Sequence, residues 1–132
     1  MLAVGAMALL ALAVFGALSA TFQTTQVTRE NVRATQVLQQ TMEVLRLCNW
    51  DQTNPSSNFI PTSLSIPYDS SNTNGLAYQV SVAITNPVGI ADVYTNDLRM
   101  VTVQVTWTCG SVQRSRSMTT FVSHYGLQNY VW

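Results

Sequence analysis

The chain has one histidine, His124, and two cysteines, Cys48 and Cys109, and few other residues suited to chemistry. No G-x-S-x-G, H-E-x-x-H or glycine-rich phosphate loop occurs in the sequence. Two thiols and one imidazole are too few for a zinc site. The nearest approach to a ligand set is the stretch ADVYTNDLR. There Asp92, Asn96 and Asp97 could turn oxygens toward a calcium ion. The same residue types are ordinary turn formers, and two carboxylates make a weak site. The expectation is therefore no enzyme, no cofactor, and calcium only as a weak candidate. Six arginines balance six acidic residues at a pI near 6.5. That balance argues against nucleic-acid binding, which normally brings a basic excess. The cysteines are left either as a disulfide or as two separate buried thiols, depending on the compartment.

The elements that would position these residues are better marked than the residues themselves. Met1 to Phe22, MLAVGAMALLALAVFGALSATF, carries no charge and only two hydroxyls. As a helix it would span ~33 Å, about the hydrocarbon thickness of a bilayer. It is apolar on every side, so lipid or other protein must surround it. A cleaved signal peptide fits poorly because the positive amino-terminal region is missing. Residues 23–48 continue with no glycine or proline. Val27, Ala34, Leu38, Met42 and Leu45 recur at helical spacing, with Val37 and Val44 widening the stripe, and Glu43 can pair with Arg46. One helix to about Leu47 is expected, apolar in its first half and amphipathic in its second.

Residues 49–75 hold three prolines among many Ser and Asn and read as a long loop with extended pieces. Residues 76–132 read as an antiparallel sheet. Tyr78, Val80, Val82 and Ile84 alternate on one face of a first strand, and Val101, Val103, Val105 and Trp107 on one face of a second. Gly110 turns the chain into a third strand, Val112 to Ser123. There Arg114 and Arg116 share the parity of the apolar residues, which calls for either a bulge or an open sheet end. The fold class is α+β: a long amino-terminal helix packed on a small antiparallel sheet.

The run MLAVGAMALLALAVFGAL, the unbroken amphipathic extension to Leu47 and the terminal hairpin VTVQVTWTCGSVQRSRSMTTFV together resemble the type IV pilin and pseudopilin superfamily. The likeness spans essentially the whole chain. It implies a structural subunit of a type IV pilus-like filament, held in the bacterial inner membrane before assembly and extracellular afterwards. Its implied partners are copies of itself and the pilus or secretion assembly machinery. The implied filament-core residues are Leu2, Val4, Leu9, Leu10, Leu12, Val14, Phe15, Leu18 and Phe22. Members often unwind the helix at mid-segment, which implies unwinding here at Gly16. The family's basic leader, glycine cleavage point and guiding glutamate are not in the sequence, so the resemblance implies that it starts a few residues inside the mature chain. In the extracytoplasmic setting so implied, the even cysteine pair reads as a Cys48–Cys109 disulfide, worth ~4 kcal/mol by loop entropy if unstrained. Two alternatives remain: a minor pseudopilin of a type II secretion pseudopilus, or a membrane-anchored extracytoplasmic binding module that never polymerises.

Overall fold

The computed structural model describes residues 2–89 and 96–126, apart from the side chains of residues 2–4, 6, 8, 9 and 72–74. One helix, α1 (Leu2–Arg46), is followed by a short 3-10 turn (Pro55–Ser57) and four strands: β1 (Ser63–Asp69), β2 (Asn72–Thr85), β3 (Leu98–Cys109) and β4 (Val112–Ser123). The chain forms two compact units, Met1–Val32 and Arg33–Trp132.

The first unit is helical throughout its described residues. Alanine and leucine favour that state, and no proline interrupts it. The hydroxyls of Thr21, Thr24, Thr25 and Thr28 each donate to the carbonyl four residues earlier, at 2.8–2.9 Å, so they stay satisfied without leaving the helix. The Gln26 amide donates to Glu30 at 3.0 Å. Gly16 is helical in the single chain, and the unwinding that the resemblance implies there belongs to assembly. Its flanks are strong helix formers, and one glycine costs only about 1 kcal/mol against alanine.

The second unit packs the last helical turns on a four-stranded meander ordered β1-β2-β3-β4. Ala34, Val37, Leu38, Met42 and Leu45 form the helical side of the core. Tyr78, Val80, Val101, Val103, Val105, Trp107 and Val122 form the sheet side. The predicted stripe therefore forms the core except at Val27, which is half-buried in the first unit, and at Val44, which is exposed beside the sheet instead of over it. The Glu43–Arg46 pair forms at 3.2 Å, but both partners are exposed and the pair adds little stability.

The antiparallel sheet has one strand more than the sequence showed. β1 lies inside the segment read as loop, its alternation of Leu64, Ile66 and Tyr68 masked by Pro61 and Pro67. Pro67 is tolerated because β1 is an edge strand, and the register shifts just after it. In β4 the pairing with β3 is unbroken from Val112 to Ser123, so no bulge accounts for the arginines. Arg114 pairs with Trp107 and Arg116 with Val105, which places both on the helix side of the outermost strand. Arg116 donates to the Thr35 hydroxyl at 2.9 Å. The opposite face of the sheet carries Ser63, Ser65, Gln79, Ser81, Thr102, Gln104, Thr106, Ser115, Ser117 and Thr119. Gln79 reaches Ser65 at 2.9 Å, and the hydroxyls of Thr102 and Thr119 meet at 3.1 Å.

Candidate functional site

In the first unit the candidate feature is the helix surface itself. Met7, Leu10, Leu12, Val14, Phe15, Leu18 and Phe22 are all exposed, with Leu12 at 70% and Phe15 at 72%. Most of them recur at three- and four-residue steps, but the positions between them are mainly alanine and glycine, so no face of the segment carries a charge. The described part of α1 contains a stretch long and apolar enough to cross a membrane. Of the residues named from the resemblance, Leu10, Leu12, Val14, Phe15, Leu18 and Phe22 lie on this surface, whereas the side chains of Leu2, Val4 and Leu9 lie outside the described residues.

In the second unit the polar residues converge where α1 ends. Asn49 and Gln52 cap each other, since the backbone N–H of each donates to the other's side-chain oxygen at 2.9 Å. The Arg99 guanidinium lies 3.7 Å from the Trp50 ring centroid. It donates to the Trp50 carbonyl and, at 3.1 Å, to the hydroxyl of fully buried Thr53. Burial lowers the Arg99 pKa from its ordinary value, and nearby Asp51 opposes that shift. Arginine titrates so high that it keeps its charge. His124 stacks on Trp50 at 4.9 Å and meets the tilted ring of Tyr125 at 4.7 Å. The cluster is a latch joining the loop after α1 to the start of β3 and the end of β4. Sequence reading missed it, since Arg99 and Trp50 are 49 residues apart with no motif linking them.

The calcium expectation finds no support among the described residues. Asp97 turns its carboxylate to within 3.5 Å of His124 Nδ1, and its carbonyl accepts the His124 N–H at 2.8 Å. Asn96 precedes it in the same turn, and Asp92 lies outside the described residues. Among the described residues no group of three or more His, Cys, Asp or Glu side chains could hold a metal ion.

The disulfide expectation is corrected: Cys48 and Cys109 are thiols that form no bridge with each other. The register explains why. Cys48 lies two residues before Trp50, which sits on Arg99 at the start of β3. Cys109 lies ten residues further along that strand, or ~33 Å at the rise of an extended chain. A disulfide needs Cα atoms within about 7 Å. The sequence placed one cysteine at the helix end and the other at the hairpin tip, but not that these are opposite ends of the sheet.

Cys48 is buried and its Sγ is 3.6 Å from the Val44 carbonyl, whereas Cys109 is half-buried. Burial pushes the Cys48 thiol above its ordinary pKa. Intact mass after alkylation without reductant is therefore expected to show two modifiable thiols, Cys109 reacting roughly tenfold faster. A single unreactive species two hydrogens lighter would refute this. Because the folded chain holds the Cys48 proton longer than the unfolded chain does, its effect on stability is constant below the unfolded thiol pKa. Stability then falls as pH rises through the thiol range. A urea midpoint that drops above about pH 8.5 in wild type, but less in Cys48→Ala, is the expected signature.

Fold and site together define an α+β protein with an apolar amino-terminal helix long enough to span a membrane and a small antiparallel β-domain. This architecture is compatible with a pilin-like fold. No protein-family model, curated protein or solved structure matches the chain.

Proposed function

We propose that the chain is a non-enzymatic structural subunit of an extracellular, type IV pilus-like filament. The observation that carries this reading is the uncharged helix surface from Leu10 to Phe22, exposed on all sides. Such a surface is stable only in lipid or among other apolar helices. Before assembly it resides in the inner membrane; during assembly it leaves lipid for the same segments of neighbouring copies. Lipid tails are as apolar as leucine side chains, so burial area alone does not drive that exchange. Close packing of small residues does, and Gly5, Ala11, Ala13, Gly16 and Ala17 provide them along the segment. The β-domain, with its own core, stays folded on either side of the transition.

The experiment is the isolation of surface filaments, with electron microscopy for form and mass spectrometry for content. The expected result is a fibre in which this chain is the repeating unit. One copy per secretion machine would instead assign it as a minor subunit. Recovery solely as a detergent-solubilised monomer, with no filament under any growth condition, would overturn the proposal and favour an anchored binding module.

A further inference from the structure

The β-domain carries unmet apolar surface on two different sides of one sheet. Beside β1, an open cleft of about 280 Å³ runs between the helix and the sheet edge, lined by Val44, Phe59, Leu64, Ile66 and Val82 among others. A neighbouring hollow of about 420 Å³ shares Val44, Cys48 and Phe59 with it. Neither hollow is lined by a charged side chain. Phe59 is 58% exposed and Leu64 45%. On the far edge, β4 projects Val112 and Met118 from its helix-side face, and these are 54% and 39% exposed.

We infer that the β1 cleft receives the β4 edge of a second copy of this chain, side by side, so that each copy offers a socket on one flank and a knob on the other. The inference rests on the filament reading above and names the lateral contact within it. Three observations choose this occupant. The cross-strand rows match: Leu64 pairs with Val80, Val80 with Val105 and Val105 with Arg116, while Val82 of the cleft pairs with Val103 and Val103 with Met118. A copy displaced by one sheet width therefore brings Met118 to the level of Val82, and Arg116 to the level of Leu64, where its apolar stem can lie along the cleft with the charged head at the rim. The charges also match. Exposed Asp69 ends β1 just beyond Ile66, and Arg114 lies in the row that runs through Trp107 and Tyr78 to Ile66. Finally, both edges are blunted against backbone pairing, β1 by Pro67 and its register shift, β4 by two arginines. Side chains, not an added strand, make the contact. Socket and knob are different surfaces, so the contact is heterologous and does not close as a two-fold dimer; in the filament proposed above it propagates along the helix.

The test uses the full chain in its membrane with Leu64→Arg and Met118→Arg, both at exposed positions. Each variant alone is expected to cut filament yield at least tenfold and to reduce a lysine-independent, carboxylate-directed cross-linking ladder to monomers. Expressed together, the two are expected to give dimers and no longer species, because each variant retains the surface that the other lacks. If either arginine variant fails to accumulate, Leu64→Gln and Met118→Gln replace the pair, with at least a threefold loss expected. Filaments at wild-type yield from the Met118 or the Leu64 variant overturn the contact while leaving the filament reading intact. Wild-type chains that form no filaments overturn both.

Discussion

Leu12→Arg is expected to abolish filaments while leaving the β-domain folded. Leu12 is 70% exposed in the single chain and lies in the middle of the uncharged segment. An arginine at the centre of a membrane helix costs about 2.5–3.5 kcal/mol on insertion scales. In a dry helix bundle no acidic side chain between Met1 and Phe22 exists to pair with it. An unpaired buried charge costs about 3–5 kcal/mol. The first cost lowers the amount of chain correctly inserted in the membrane, and the second opposes its transfer into the bundle, so both reduce the filaments formed. Electron microscopy of surface preparations should therefore show no fibres, whereas Leu12→Ala should retain them in reduced number. The unfolding free energy of the unit Arg33–Trp132 should stay within the range of ordinary surface substitutions, about ±0.5 kcal/mol. Normal filaments from the arginine variant would mean that Leu12 is not buried on assembly.

Trp107→Ala is expected to have the largest effect on the domain itself. The Trp107 ring is 3% exposed and meets Tyr78 at 5.8 Å between centroids. Truncating a buried aromatic to alanine costs about 3–5 kcal/mol. That is a large share of the stability of a domain this small. Chemical denaturation of the full chain should show the loss as a lower midpoint. Trp107→Phe is the informative companion. The indole N–H is buried with no hydrogen-bond partner among the described residues. Phenylalanine keeps a ring against Tyr78 and removes that unsatisfied donor. Its cost should be well below that of alanine, about 1–2 kcal/mol, because the desolvation penalty of the indole disappears with the indole. Equal costs for the two variants would show that ring packing contributes little here.

The parts legible in the sequence were those governed by local periodicity. The helix from residue 2 to 46, the alternation of Val101 to Trp107 and the hairpin at Gly110 all repeat at the spacing of their own backbone. β1 was hidden because its alternation is short and two prolines interrupt the neighbourhood. Their effect on an edge strand is small, but the edge position is known only after β2 pairs with it. The direction in which the helix end meets the sheet is likewise a long-range property. It decided that Cys48 and Cys109 stand apart, and it made Arg99, Trp50 and His124 neighbours. The arginine parity in β4 looked like an irregularity, yet it is ordinary for an outermost strand, where the helix no longer covers the row and Arg116 can reach Thr35 from its side. The exposed surface of Leu10 to Phe22 was legible from composition alone, since no local period can bury a segment that is apolar all round.

The sheet face opposite the helix has a further consequence. Its Ser, Thr and Gln rows contain no group that titrates between strong acid and strong base, and no charge for dissolved ions to screen. Water is held there by hydroxyls and amides whose bonding is the same at any ordinary pH or salinity. A surface clad in such a face would neither swell nor stick as its surroundings become acid, brackish or dilute. With only six arginines and six acidic residues in the whole chain, that face amounts to a coat indifferent to weather, as the filament proposed above would require.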